Sequence, residues 1–341
     1  MKKKILSVAG LAAAAILALS ACGSSAAETT AAAASEAGSE AGAAEGSEAE
    51  AKEDTAGGEP TVVKVGVVGA YNDQWDTVNE LLKPENIQVE LVNFSDYATP
   101  NRALNDGEID LNAFQHKAFL ANDIKQKGYD LTAIGDTIIA PLAIYNNKDK
   151  ISSVSDIKDG DIIAIPSDLT NGGRALKLLE AAGLIECDPA KGAVPTKADV
   201  TKYNVKIEIK EAESGTLAKL LPDCAAAVIN GGNAFTAGLN PKTDAIFTED
   251  VNPETNPGVA DLVNVIVART ADKDNPVYKK VVDAYHTDAV AKTLEESYDG
   301  AYIPVWTGNF VEEESEAAES TEASAETEAS AEETSESAAQ E

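Results

Sequence analysis

Only one stretch of this chain can bury a core. Residues 61–310 carry the large apolar side chains, while residues 23–60 are built almost wholly from Ala, Gly, Ser, Thr and Glu and hold no aromatic residue. Residues 312–341 repeat Glu, Ser, Ala and Thr, with twelve Glu and no basic residue. Such segments cannot bury enough apolar surface to offset the entropy of ordering, and both are expected to be disordered. The two flanks hold 21 of the 58 acidic residues, so much of the formal net charge of -31 is a property of the tails. Acidity of this degree argues against nucleic acid and against direct docking on anionic lipid.

The first residues address the compartment. Lys2, Lys3 and Lys4 precede an apolar run from Ile5 to Leu19, which is too short to span a bilayer comfortably and of the right length for a signal-peptide core. The run ends in Leu19-Ser20-Ala21-Cys22, which resembles a bacterial lipobox. That resemblance implies cleavage before Cys22 and attachment of diacylglycerol to its sulfur, an anchor of two acyl chains that holds where a single chain is marginal. Residues 1–21 are then a signal peptide. Residues 22–60 are a lipidated linker with a root-mean-square span of roughly 35 Å. Membrane contact is expected through the anchor alone.

Within the core, strand-like and helix-like segments alternate. Val62–Val68, Ile87–Phe94, Ile109–Ala113, Asp161–Ile165, Val205–Ile209, Ala225–Ile229 and Val263–Ala268 read as strands, and Ile138–Tyr145 as a long strand despite Pro141. Gln74–Leu82, Pro100–Asp106, Phe119–Gly128 and about Gly172–Ala182 read as helices, the last closed by Gly183. Alternation of this kind predicts an α/β fold with largely parallel sheets. About 250 residues suit one two-lobed unit.

Three stretches carry chemistry. In Ile165-Pro166-Ser167-Asp168-Leu169-Thr170-Asn171-Gly172-Gly173-Arg174 an apolar strand runs through a polar loop into a helix. Ligands of open α/β sheets bind beyond strand carboxyl ends, where helix N-termini favour anions. Arg174 in the first helical turn opposes the helix dipole, which makes sense if a carboxylate sits against it; pairing to a local acid such as Asp168 explains it equally. Phe114 and His116 alternate at strand spacing and can share one side, as an aromatic wall or as core packing. Ala227-Val228-Ile229-Asn230-Gly231-Gly232 ends a buried strand in an amide that can both accept from an ammonium and donate to a carboxylate, or that simply closes a turn.

Asp96-Tyr97, Pro100-Asn101-x-Ala103-Leu104, Gly107-x-Ile109-Asp110-x-Asn112-Ala113-Phe114-Gln115-His116-Lys117, Thr170-Asn171-x-Gly173-Arg174 and Ala227-Val228-Ile229-Asn230, taken in order with the lipobox, resemble the NlpA family of methionine-binding lipoproteins across essentially all of residues 61–310. The resemblance implies a type II periplasmic-binding-protein fold, with residues 61–142 and 259–310 as one lobe, 143–258 as the other, and a tail from 311. It implies a small amino-acid ligand and an ABC importer with a permease and a cytoplasmic ATPase as partner. No CxxC pair or His-rich cluster points to a metal, no GxSxG, P-loop or HExxH motif points to an enzyme, and a monomer without cofactor is expected. Carried over by position, Arg174 and Asn171 resemble the carboxylate-binding pair, Asn230 the amide that holds both ends of the α-amino acid headgroup, and Tyr97, Phe114, His116 and Phe119 the wall around its side chain. The chain departs from the family at Gly69-Ala70-Tyr71-Asn72-Asp73-Gln74-Trp75 and at Gly231-Gly232-Asn233. Trp75 and Asn233 on these loops are further candidates for the wall, and the departures leave another amino acid or a methionine dipeptide as alternative ligands. A surface adhesion lipoprotein using the acidic tail is an alternative of a different class. Cys187 and Cys224 are far apart in sequence; export permits a disulfide between them, and spacing does not decide it.

If Cys22 is the anchor, Cys22→Ala releases the protein from the membrane fraction and leaves ligand affinity unchanged, because the linker separates it from the core. Fractionation with a binding assay checks this, and full membrane retention of the variant contradicts it.

Overall fold

The computed structural model describes residues 58–70 and 72–307. The signal peptide, Cys22, most of the linker, and the tail lie outside the described residues. Among those described, no helix is long and apolar enough to cross a membrane.

The chain opens with β1 (Thr61–Val68), α1 (Gln74–Leu82), β2 (Ile87–Phe94), α2 (Pro100–Asn105), β3 (Leu111–His116), α3 (Lys117–Lys127) and β4 (Leu131–Asp136). A two-residue strand, β5 (Ile138–Ile139), leads into a second set: β6 (Leu142–Asn146), β7 (Ile162–Pro166), α4 (Leu169–Ala181), β8 (Ile185–Cys187), β9 (Val200–Tyr203), β10 (Glu208–Ala212), α5 (Leu217–Leu220), β11 (Ala226–Asn230), α6 (Gly231–Thr236) and β12 (Ala245–Thr248). The chain then returns through β13 (Asn264–Arg269), α7 (Pro276–Tyr285), α8 (Asp288–Tyr298) and β14 (Ile303–Pro304).

Two five-stranded sheets result, ordered β2-β1-β3-β13-β4 and β10-β7-β11-β6-β12. In the first, β1 runs parallel to β2 and β3, while β13 is antiparallel to both β3 and β4. In the second, β7 is parallel to β10 and β11, and β6 is antiparallel to β11 and β12. The protein is thus α/β with two lobes of the type II periplasmic-binding-protein kind. Each lobe has its own apolar core: Val63, Val65, Val67, Trp75 and Ile266 belong to one, Ile144, Ile163, Ile165, Leu176 and Leu179 to the other.

Several elements differ from the sequence expectation. The long strand over Ile138–Tyr145 is broken at Ala140-Pro141: Ile138 and Ile139 pair with β14 in a two-stranded ribbon, and Leu142 begins the second sheet, so this is the crossover between the lobes. Pro141 has no N–H to give to a ladder, so the break falls where pairing ends. Helix α4 starts at Leu169, not near Gly172, because Asp168 caps it by accepting from the Asn171 N–H at 2.9 Å. Arg174 therefore lies beyond the first turn, and the helix-dipole argument for its placement loses force. Cys187 and Cys224 are both buried free thiols.

Strand β3 carries a bulge. Asn264 pairs with His116 and Val265 with Gln115, but Val267 pairs with Asn112, so Ala113 and Phe114 oppose one residue of β13. A bulge shifts the side-chain alternation by one. Asn112 and Gln115, three apart, consequently meet on one side in a buried amide cluster. Gln115 donates to Asn101 at 2.6 Å and to Asn112 at 2.9 Å, Asn112 donates to Asn101 at 3.0 Å, and Asn101 donates to Gln115 and to Asp123. The cluster satisfies its polar groups internally, as buried amides must, and it anchors β3 and α3 to the helix before them.

Two glycines of α4 allow close backbone approach. A Cβ on Gly172 would stand 2.9 Å from the Pro166 carbonyl oxygen, and one on Gly173 would stand 2.8 Å from Val194 Cα and 2.9 Å from the Ala193 carbonyl oxygen. Gly173→Ala gains helix propensity worth about 1 kcal/mol but meets backbone that cannot rotate away, at a cost of about 1–3 kcal/mol. The clash wins: urea denaturation should show a net loss of stability, and a stabilised variant would contradict the close packing.

Candidate functional site

The carboxyl ends of β3, β7 and β11 deliver their following loops and helices to one cavity of about 90 Å³ between the lobes, lined by Tyr97, Phe114, His116, Phe119, Asn171, Arg174 and Asn230 among others. This size admits only a small molecule.

Its polar half is organised by one atom. Asn171 Oδ1 accepts from Asn230 Nδ2 at 2.8 Å, from His116 Nε2 at 3.3 Å and from Arg174 Nη1 at 3.4 Å. The Asn171 amide nitrogen donates to both oxygens of Asp168 at 3.1 Å, which fixes the amide's orientation. His116 caps α3, its Nδ1 accepting from the Phe119 N–H at 3.1 Å. The proton therefore sits on Nε2, which donates across the cleft. Burial, then the Arg174 charge, pushes the His116 pKa down to about 3, against a smaller opposing effect of Asn171. The imidazole is neutral.

Asn230 ends β11 with its nitrogen committed to Asn171. Its oxygen is a different matter. Among the described residues, Asn230 Oδ1 is one of three buried side-chain polar atoms without a hydrogen-bond partner, with Tyr145 Oη and Trp306 Nε1, and it is the one whose residue lines the cavity. A buried acceptor left unpaired costs about 1–3 kcal/mol, so this oxygen is an attachment point for a donor.

Arg174 does have a partner in the chain, and it is Glu249 rather than Asp168. Nε donates to Oε1 at 3.1 Å and Nη2 to Oε2 at 2.5 Å. Nη2 also approaches the Ala140 carbonyl at 3.4 Å. Only Nη1, with its long contact to Asn171, is weakly engaged.

The apolar half is aromatic. Ring centroids of Tyr97 and Phe114 are 6.0 Å apart, those of Phe114 and Phe119 5.9 Å, and those of Tyr97 and Phe119 6.2 Å. The Tyr97 hydroxyl accepts from Asn233 Nδ2 at 3.1 Å, a second bond between the lobes. Burial raises the Tyr97 pKa, with the Asp168 charge adding to it, so the hydroxyl stays un-ionised.

The two loop candidates behave differently from the rest. Trp75 is 1% exposed, packs against Tyr285 at 5.1 Å, and belongs to the first-lobe core instead of the cavity wall. Its place on α1 follows the inward helical stripe with Val78 and Leu82. Asn233 acts behind Tyr97. Sequence reasoning missed Gln74, Tyr285 and Tyr302, which line the cavity, and Glu249, which holds Arg174. No local pattern marks Glu249: it follows a short strand in an acidic chain. Among the described residues no group of three metal-binding side chains occurs.

The neutral, buried His116 has a consequence for pH. Its native pKa lies below the value near 6.5 of an unfolded His, so its contribution is complete above about pH 6.5 and drains as pH falls toward 3. One proton corresponds to at most about 1.4 kcal/mol per pH unit. Between about pH 6 and 5, His116→Gln should lose stability less steeply than the wild type by up to that slope, measured by denaturant unfolding at each pH. Identical slopes would show that His116 titrates as if exposed.

Comparison with known proteins agrees with this arrangement. Residues 63–306 match the family model described as NlpA lipoprotein. The chain is 41% identical over 246 residues to outer membrane lipoprotein 3 of Mannheimia haemolytica, covering 72% of this chain and 90% of that protein. It is 39% identical over 252 residues to the D-methionine-binding lipoprotein MetQ of Escherichia coli, covering 73% and 90%. Among solved structures, a nutrient-binding protein from Burkholderia cenocepacia bound to methionine shares 34% identity with a TM-score of 0.66, covering 71% of this chain and 99% of that one. A two-lobed fold, a cleft at the strand carboxyl ends and a family match over most of the chain converge: this chain belongs to the NlpA lipoprotein family.

Proposed function

We propose that this protein is an extracytoplasmic, lipid-anchored solute-binding protein that captures methionine and hands it to an ABC importer. Residues 61–142 and 259–310 would form one lobe, 143–258 the other, and Cys22 the attachment to the membrane. The observation that carries the reading is the unpaired Asn230 Oδ1 beside donors that converge on one oxygen position. A carboxylate placed near Asn171 Oδ1 takes the Arg174 Nη1 and Asn230 Nδ2 donors, and the ammonium two bonds away supplies Asn230 Oδ1 with its missing partner. A headgroup with both charges is an α-amino acid. The side chain then lies among Tyr97, Phe114 and Phe119, where a thioether gains about 0.3–1.5 kcal/mol from sulfur–aromatic contact. The names of the MetQ relatives and the methionine bound to the Burkholderia protein favour the same ligand.

Binding rather than catalysis suits the chemistry. Both His116 nitrogens are occupied in holding the two lobes and the α3 cap, and both thiols of the core are buried in other parts of the fold. Function follows from the lobes closing on a ligand that binds the closed state better, a form the permease can read.

A thermal-shift panel of the free amino acids and short methionine dipeptides tests the assignment. Methionine is expected to give the largest stabilisation, and stabilisation by a different class alone would contradict it. By calorimetry, Arg174→Ala should weaken methionine binding by about 2–4 kcal/mol. Asn230→Ala should weaken it as well, and the double variant should lose less than the sum, because both residues hold one headgroup. A loss under about fivefold in Arg174→Ala would remove it from the site.

A further inference from the structure

The guanidinium of Arg174 is matched by a carboxylate of the chain itself. Arg174 and Glu249 keep side-chain exposures of only 8% and 11% and meet through two bonds. Glu249 is held by the strand that leaves the crossover: the Leu142 N–H donates to Oε2 at 3.0 Å, and the Glu249 N–H donates to the Leu142 carbonyl at 2.9 Å. The other ionisable groups near Arg174 do not restore a positive site. Asp168 is a carboxylate engaged by the Asn171 amide and the start of α4. His116 is neutral. No Lys lines the cavity, and Arg174 is its one Arg among the described residues.

Placing net charge in a buried site is costly, whereas a matched pair is tolerated. With Arg174 cancelled by Glu249, a simple carboxylate would leave the cleft with an uncompensated negative charge. A zwitterion adds none. We propose that Glu249 determines the charge class of the ligand: acting through Arg174, it makes the cleft accept a zwitterionic amino acid and reject the same molecule without its amino group. The inference rests on the amino-acid reading of the site. Glu249 does not line the cavity, so its part is that of a positioning and specificity-determining residue. It also turns Nε and Nη2 away toward the crossover and leaves Nη1 for the ligand.

The test is calorimetry of L-methionine and its deamino analogue, 4-(methylthio)butanoate, on the full wild-type chain and on Glu249→Gln. Glutamine keeps the shape and the acceptor for the Leu142 N–H but removes the charge. The wild type should prefer methionine by about a hundredfold or more. In Glu249→Gln that preference should shrink by about tenfold or more, with the deamino analogue binding more tightly than it does to the wild type. Glu249→Asp retains the charge and should retain the preference even where both ligands weaken. Equal weakening of both ligands in Glu249→Gln would make Glu249 a mere support and overturn the proposal. So would loss of the preference in Glu249→Asp. Comparable binding of the two ligands to the wild type would overturn it too, and that result is readable even if the variants fold poorly. If methionine fails to bind the wild type, the ligand assignment falls; the amino acid that does bind, paired with its own deamino acid, then tests the charge rule separately.

Discussion

Three hydrogen-bond donors meet at Asn171 Oδ1, and they come from both lobes: His116 from the first, Asn230 and Arg174 from the second. Each donor is buried and each would cost about 1–3 kcal/mol if left alone, so the position of this one oxygen constrains everything around it. It sits where it does because Asp168 both caps α4 and holds the Asn171 amide nitrogen. The start of a helix, the orientation of an amide and the meeting of two lobes are thereby one arrangement. A cluster of donors with one internal acceptor is suited to exchange that acceptor for a ligand carboxylate without rebuilding the site.

Rigidity behind the cleft comes from less visible parts. The bulge in β3 lets Asn112 and Gln115 both bond Asn101, while Phe114 and His116 line the cavity together with Gln115. Without that extra residue, strict alternation would send one of the two amides to the wrong face. On the other lobe, Glu249 ties Arg174 to the beginning of β6, the strand that emerges from the crossover. The cavity-lining Arg174 is thus braced by the strand that carries the chain into the second sheet.

Much of this was legible in the sequence, for identifiable reasons. Apolar runs such as Ile87–Phe94 and the Gln74–Leu82 stripe have clear periods and became strand β2 and helix α1 with the same bounds. The carboxyl ends of the parallel neighbours β7 and β11 fall together by topology, which sets Asn171 and Arg174 beside Asn230; the wall of Tyr97, Phe114, His116 and Phe119, which the family resemblance implies, lines the same cavity from the other sheet's side. Features that depend on pairing across distant segments were not legible. The bulge is a relation between β3 and β13, about 150 residues apart, and leaves no local pattern. Glu249 is one acid among 58, marked only by where β12 ends. Trp75 stands next to a cleft loop, but its helical phase with Val78 and Leu82 directs it into the first-lobe core. The glycines at 172 and 173 have the composition of a loop, which hides the start of α4 at Leu169; their reason is the backbone packed against them.

The Asn171, Arg174 and Asn230 cluster offers the donors and the unpaired acceptor that the proposed two-charged headgroup of an amino acid needs. A crystal structure of the protein with methionine tests it most directly. The ligand carboxylate is expected within hydrogen-bond distance of Arg174 Nη1, the ammonium within hydrogen-bond distance of Asn230 Oδ1, and the thioether among Tyr97, Phe114 and Phe119. A headgroup seated elsewhere, with Asn230 Oδ1 still unpaired, would contradict it.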